Sequence, residues 1–148
     1  MKKFLSVLTI LTLMMTTSAF AAPEAQKIAV VDIQRVVAAS SQVKSLKASQ
    51  EAKNKELSAF IKKAQDDVNK QTDASKKKSL AESYEKQLAA KREANLKDYT
   101  SKLKAADANI TSQIGKKATE LGYTMVLPKS SVVFGGDDIT ETILKVIK

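Results

Sequence analysis

Few residues in this sequence could do covalent or acid–base chemistry. It contains no histidine and no cysteine, so it lacks the usual general base near neutral pH, a thiol nucleophile and the best transition-metal ligands. The stretch QIGKKAT contains Gly115-Lys116, but a phosphate-binding loop would need a glycine at Ile110 and a serine or threonine directly after the lysine. The sequence therefore predicts a protein that is not an enzyme and uses no cofactor.

Three carboxylates near the carboxyl terminus could hold a hard cation. Asp138 and Glu141 are three residues apart, which is also the spacing of a capping box at the start of a helix. We favour this interpretation, with Asp137 complementing the helix dipole, over a metal site. The helix that follows would bury Ile139, Ile143, Leu144 and Ile147.

The most unusual chemical feature is the distribution of basic residues. Residues 42–121 hold 18 Lys and Arg against 11 Asp and Glu, whereas residues 22–41 and 122–148 together hold five of each. Such an excess indicates binding of acidic polypeptides or anionic lipid headgroups. The alternative for any single lysine is a solvated helix face, because acids are interleaved. The candidate binding cations are Lys62, Lys63, Lys76, Lys77, Lys78, Lys91 and Arg92.

The amino terminus has the pattern of a secretory signal peptide. Two lysines precede an apolar run at 4–15, and Ala19-Phe20-Ala21 forms a small-x-small cleavage site. The run is too short to cross the hydrocarbon core of a bilayer. We therefore expect a signal peptide at 1–21 and a mature protein outside the cytoplasm. Export, only two arginines and no groove-reading motif argue against nucleic-acid binding.

Short apolar segments at both ends of the mature chain predict a small β unit. KIAVVD at 27–32 is typical of a buried strand, and Ile33, Val36 and Val37 share one face of a following helix. Near the other end, YTMVL and SVVF are further strand candidates, joined by residues 128–130, a loop of hairpin length.

The middle segment predicts long helices. Residues 42–121 contain no proline and one glycine, and an unbroken helix of that length would be about 120 Å long and would hold the two β segments apart. The stretch NKQTDASKKKS at 69–79 contains no large apolar residue, so we place a turn there between two antiparallel helices of roughly 50 Å. A straight rod is the alternative. The expected apolar stripes are Val43, Leu46, Leu57, Ile61, Ala64 and Val68, then Leu80, Tyr84, Leu88, Leu96, Tyr99, Leu103, Ala106, Ile110, Ile114 and Leu121.

These elements give an α+β fold with three parts. Residues 1–21 are the signal peptide, 22–41 and 122–148 form a small β body, and 42–121 form a helical hairpin arm projecting from it. The body is too short to bury a stable core unaided, which predicts a homo-oligomer. The expected body or oligomer core comprises Ile28, Val30, Val31, Val126, Leu127, Val132, Val133, Ile139 and Ile143.

Over essentially the whole mature chain, this sequence resembles the Skp/OmpH family of periplasmic chaperones. The residues that carry the resemblance are the strand at 28–32, the segment 125–134, and Asp138-Ile139-Thr140 leading into the last amphipathic helix. The short interval Gly135-Gly136 and the scarcity of arginine depart from the family pattern. Since Lys91-Arg92 matches only part of a basic cluster, the resemblance implies at most weak contact with anionic lipid or lipopolysaccharide.

The resemblance implies a periplasmic homotrimer that holds unfolded outer-membrane proteins between its arms without ATP. On this hypothesis the lysines attract acidic clients, and thin apolar faces then make many weak contacts with them. The apolar candidates for client binding are Leu57, Phe60, Ile61, Val68, Leu80, Tyr84 and Leu88. The alternative function is that of an envelope structural or adaptor coiled coil that grips one folded partner, although Gln50 and Lys53 interrupt its apolar seam.

Overall fold

A computed structural model describes residues 26–147, so the expected signal peptide lies outside the described residues. The fold is mostly helical, with one small parallel sheet. Within the described residues, no helix is long and apolar enough to span a membrane. The elements are β1 (Ile28–Val31), α1 (Ile33–Ala39), α2 (Ser41–Lys70), α3 (Ala74–Glu120), β2 (Met125–Pro128), a 3-10 turn (Lys129–Ser131), β3 (Asp137–Asp138) and α4 (Thr140–Leu144).

The first strand and helix form where the sequence predicts them. Asp32 ends β1 and caps α1, because its side chain accepts a hydrogen bond from the Arg35 backbone N–H at 3.0 Å. Val36 is fully buried, and Ser40 separates α1 from α2 by a single residue. The chain therefore turns from the sheet into the long helix within ten residues.

The helix break between α2 and α3 falls inside the stretch 69–79. Residues 71–73 leave the helical conformation, and the Asp73 side chain restarts it by accepting from the Lys76 backbone N–H at 2.8 Å. The helices are unequal, since 30 residues of α2 span about 45 Å and 47 residues of α3 span about 70 Å. The equal lengths expected from the sequence are wrong, because the end of α3 runs past the start of α2 and packs against the sheet.

Side-chain contacts between α2 and α3 run in opposite sequence order. From the break towards the sheet, Asp67 meets Tyr84, Glu56 meets Lys91, and Lys53 meets Asp98. Beyond that, Ser41 and Ala105 line one groove. Between this groove and the sheet, α3 contributes Ile110, Ile114 and Ala118 to the buried core.

The sheet corrects the predicted strand hairpin. β1 is the central strand, and both β2 and β3 pair with it in parallel, with Ile28 opposite Met125 and Ala29 opposite Asp137. The segment SVVF is not a strand, because the chain after Pro128 turns and crosses to the other edge of β1. Val133 and Phe134 are therefore fully exposed, at 104% and 97% of their reference areas.

The buried core includes residues outside the two segments that the sequence assigned to the body. Of the nine expected core residues, Val30, Val31, Ile139 and Ile143 are buried, while Ile28, Val126, Leu127 and Val132 are half-buried. Val133 is fully exposed in the single chain, so its expected place in the oligomer core stays a prediction. The core instead takes in residues on the first turns of α2 and the last third of α3, which lie outside the predicted body segments: Val43, Leu46, Ala106, Ile110, Ile114 and Ala118.

The predicted capping box is also wrong in detail. The Asp138 side chain accepts hydrogen bonds from the Thr140 backbone N–H at 3.0 Å and from its hydroxyl at 2.5 Å, while Glu141 bonds Arg35 at 2.7 Å and does not reach back to the helix start. Thr140 in turn accepts from the Asp32 backbone N–H at 2.9 Å. Lys129 first, and then Thr140, hold the pKa of Asp138 well below its usual range. These hydrogen bonds, centred on the buried Thr140, tie the end of β1 to the start of α4.

The two glycines before β3 provide a matched test of the sheet packing. Both have positive φ, at +86° for Gly135 and +83° for Gly136, so alanine is strained at either position by about 1–2 kcal/mol. A Cβ on Gly136 would also lie 2.6 Å from Val30 Cγ2, whereas a Cβ on Gly135 meets nothing within 4 Å. We expect Gly136→Ala to destabilise the fold clearly more than Gly135→Ala, because Val30 is buried and rotationally stiff.

The measurement is denaturant unfolding followed by circular dichroism, with all chains at one protein concentration. The difference between the two variants isolates the clash from the backbone strain that they share. Equal losses would show that β3 does not pack against Val30 as described.

Candidate functional site

The apolar candidates converge on a groove near the α2–α3 break. Phe60 and Tyr84 meet edge to face, with ring centroids 5.6 Å apart and planes at 72°. The groove has a volume of about 370 Å³. We call it the distal groove, and it is lined by Phe60, Ile61, Ala64, Gln65, Val68, Asn69, Ala81, Tyr84, Glu85 and Leu88.

A polar network fixes one edge of the distal groove. The Tyr84 hydroxyl donates to Asp67 at 2.5 Å, and Lys63 bonds the same carboxylate at 2.5 Å. The hydrogen bond from Lys63 first, and that from Tyr84 second, lower the pKa of Asp67. The contact of Lys63 with Asp67 first, and its contact with the Tyr84 hydroxyl second, raise the pKa of Lys63. The Tyr84 ring is thus held in one orientation on the groove wall.

A second lysine packs on the other aromatic ring. Lys91 Nζ lies 5.3 Å from the centroid of Phe60 and 3.3 Å from the Glu56 carboxylate. Both Lys63 and Lys91 are therefore engaged within the helix pair. Among the predicted binding cations, these two contribute to structure as well as to surface charge.

Polar contacts replace apolar packing halfway along the helices. Lys53 and Lys102 both pair with the Asp98 carboxylate, Lys102 at 2.9 Å. Lys53 first, and Lys102 second, lower the pKa of Asp98. The Lys53 side chain is only 25% exposed, so this ion pair lies in the interface, at the point where the sequence shows a break in the apolar seam.

This polar contact corrects the predicted stripe on α3. Asn95 and Asp98 are half-buried towards α2, whereas Leu96, Tyr99 and Leu103 are 66%, 36% and 45% exposed. Successive residues on a helix are about 100° apart, so turning Asp98 towards Lys53 turns its neighbours away from the interface. The prediction that Leu96, Tyr99 and Leu103 pack against α2 is wrong.

The remaining predicted cations are free of intramolecular ion pairs within residues 26–147. They are exposed, and two of them, Lys76 and Lys77, lie in the first turn of α3, where the helix dipole disfavours positive charge. Helix stability therefore does not account for this cluster. The free cations are Lys62, Lys76, Lys77, Lys78 and Arg92.

The structure places the predicted site residues in two groups. The apolar candidates Leu57 and Leu80 are half-buried beside the distal groove residues, between α2 and α3. The free lysines are spread along the outer surface and at the helix break rather than in one cluster. Sequence reasoning placed Ala64 on the apolar stripe but not among the binding candidates. It missed Gln65, Asn69, Ala81 and Glu85 as groove residues, although their helical spacing from Ile61 and Leu88 could have identified them.

The candidate acids of the cation site are partnered separately. Asp137 accepts from the Tyr123 hydroxyl at 3.1 Å, Asp138 pairs with Lys129 at 2.7 Å, and Glu141 pairs with Arg35. Within the described part of the chain, no group of three or more acidic side chains is arranged to hold a metal ion. These residues stabilise the sheet and α4.

A scan against protein-family models and a search of curated proteins both find no match to this chain.

The Asp98 contact predicts a pH-dependent contribution to stability. Because its pKa is lowered in the folded state, the stabilisation is complete above the ordinary aspartate pKa of about 3.9 and is lost as the pH falls below it. Asp98→Asn should therefore lower the thermal midpoint at pH 7, and its difference from the unchanged protein should shrink between about pH 4 and pH 2.

Asp107→Asn is the matched control, because Asp107 is an exposed carboxylate of α3 without an ion pair among residues 26–147. The thermal midpoint of Asp107→Asn should equal that of the unchanged protein at pH 7 and at pH 3. A deficit in Asp98→Asn that is the same at pH 7 and pH 3 would contradict the assignment.

Proposed function

We propose that this protein is an ATP-independent holdase chaperone of the periplasm that captures unfolded outer-membrane proteins. The observation that carries the proposal is the presence, on the same long helices, of an open apolar groove and of cations that have no ion-pair partner among residues 26–147. An unfolded precursor offers the complement, apolar segments on an acidic chain. The resemblance to the Skp/OmpH family supports the same client class.

In this proposal α2 and α3 form an antiparallel hairpin arm that projects from the sheet. The opposite sequence order of the contacts from Asp67–Tyr84 to Lys53–Asp98 supports it. The ends of the helices nearest the sheet each contain buried residues on one face, whereas the distal two-thirds of the pair contain no fully buried residue within the described chain. An arm of this kind presents surface to a client without needing a core of its own.

The proposed assembly is a homotrimer that associates through the body. Met125, Val133 and Phe134 are exposed beside a three-stranded sheet whose outer edges have no partner within the described chain. Unpaired edges and exposed apolar side chains favour association with another chain. The number three rests on the family resemblance.

Capture in this proposal has two steps with different physics. Long-range attraction by the free lysines concentrates an acidic client near the arms and raises its association rate. Short-range contacts with the distal groove then hold apolar side chains with low individual affinity. Release requires no nucleotide, because a folding site that binds the client more strongly withdraws it.

We predict that the purified protein keeps an unfolded outer-membrane barrel soluble in the absence of ATP. The association rate should fall steeply between about 0.1 M and about 1 M salt, because the screening length falls from about 10 Å to about 3 Å. The Lys76→Glu/Lys77→Glu/Lys78→Glu variant should suppress aggregation less well at low salt. Light scattering measures the aggregation, and stopped-flow fluorescence of a labelled client measures the rate.

The unchanged protein at each salt concentration controls for effects on the client, and circular dichroism controls for folding of the variant. Capture that is insensitive to salt would contradict the electrostatic step. Failure to suppress aggregation by a stable, folded oligomer would contradict the holdase function.

We also predict that Phe134→Ser weakens the oligomer without unfolding the chain. Phe134 is fully exposed in the single chain, so its loss removes no intramolecular packing but removes apolar area from the proposed interface. Sedimentation velocity at several concentrations should show more monomer than for the unchanged protein, with unaltered helical circular dichroism. Lys145→Ser, at an exposed position of the body, is the control. Identical association of all three proteins would exclude Phe134 from the interface.

A further inference from the structure

The exposed side of α3 carries a second apolar surface, separate from the distal groove. Leu96, Tyr99 and Leu103 lie three and four residues apart and therefore on one line of the helix. We call these three residues the ridge. Tyr99 is 15 residues from Tyr84, which places the ridge about 22 Å further along α3 than the distal groove.

The ridge lies on the same line of α3 as residues of the buried core. The same line continues through Ala106 and Ile110, which are 4% and 5% exposed beneath the sheet and helices of the body. The apolar line of α3 extends beyond the buried core, so the three large side chains of the ridge remain exposed next to it. The polar contact of Asp98 with Lys53 keeps α2 from covering them.

The charges around the ridge favour an acidic occupant. Residues 92–104 hold four cations and two carboxylates, and one of those carboxylates, Asp98, is already shared by Lys53 and Lys102. Arg92 lies one turn before Leu96, and Lys97 and Lys104 flank the line, all three exposed and without ion pairs within residues 26–147. An apolar segment that carries Asp or Glu would satisfy both parts of this surface.

The size of the ridge favours a flexible chain over a folded partner. A stable interface between folded proteins buries about 800 Å² on each side, which three side chains on one helix do not provide. A short unfolded segment can bind such a narrow line and remain exchangeable. We propose that the ridge is a second contact site for acidic, apolar-rich segments of unfolded polypeptide, distinct from the distal groove.

This inference rests on the proposed holdase function and adds a consequence for client choice. A strand rises about 3.3 Å per residue, so an extended segment spans the 22 Å between the two surfaces in about seven residues. Clients with two apolar clusters at least that far apart can engage both surfaces of one arm. Simultaneous contact then raises the overall affinity without any strong single contact.

The absence of cysteine allows a direct test, since one introduced cysteine carries a probe at one site only. A benzophenone attached through Leu103→Cys should cross-link an unfolded outer-membrane barrel in the full-length oligomer. Ala94→Cys is the matched control, because it is exposed on α3 but about 160° around the helix from Leu96. We expect a several-fold higher yield of client adduct from position 103 than from position 94.

A second variant tests the affinity. Leu96→Ser/Leu103→Ser changes only exposed side chains and should speed client dissociation several-fold, with unchanged oligomer mass.

Equal adduct yields from positions 94 and 103, or adducts from position 103 to another copy of this chain in place of the client, would overturn the inference. Client adducts from an Ile61→Cys probe with none from position 103 would overturn it while leaving the holdase function intact. Failure of the unchanged protein to suppress aggregation would contradict both the holdase function and the inference about the ridge.

Discussion

The whole structure depends on the pairing of one short strand with segments from the far end of the chain. β1 accepts β2 on one edge and β3 on the other, and its residues Ala29 and Val31 are completely buried. The chain between these partners must therefore leave the sheet and return to it. The contacts between α2 and α3 occur in reversed sequence order, from Asp67–Tyr84 to Lys53–Asp98, as this requirement demands.

Fully buried residues of α2 and α3 lie only at the ends of the helices nearest the sheet, and polar contacts replace apolar packing at their middle. Near the sheet, Leu46, Ala106 and Ile110 pack into the core, and near the break Phe60 and Tyr84 pack against each other. Between these zones the contact consists of Lys53, Asp98 and Lys102. Ion pairs at this level of exposure contribute little stability, so this section adds less to the pairing of the helices than the apolar contacts on either side of it. The Lys53–Asp98 contact also determines which apolar side chains of α3 are turned away from α2 and remain exposed.

The sequence was sufficient to predict elements whose signals are local. The strand at 27–32, the helix after it and the break within 69–79 depend on β-branched residues, apolar spacing and the loss of apolar side chains, which are all readable along the chain. The joining of Met125–Pro128 with the strand at 27–32 in one β unit was also predictable, because both ends of the mature chain carry short apolar segments. The loss of the SVVF strand was not readable, because a short β-branched run looks the same whether or not it finds a partner in the sheet. The distal groove was largely predictable from spacing. The exposure of Leu96, Tyr99 and Leu103 was not, because the rotation of α3 is set by Lys53 on the other helix.

The parallel sheet also constrains when the protein can fold. The hydrogen bonds that close it join residues 97 and 108 positions apart, as in Thr124 to Lys27 and Asp32 to Thr140. Loop-closure entropy makes such contacts late and slow, whereas the helices need only local contacts and form quickly. A chain that emerges from its amino terminus therefore presents β1 first and must keep it unpaired until almost every other residue has followed. During synthesis this protein is therefore an unfolded chain with an exposed apolar strand, and we expect its helices to fold before the sheet that joins the two ends of the chain.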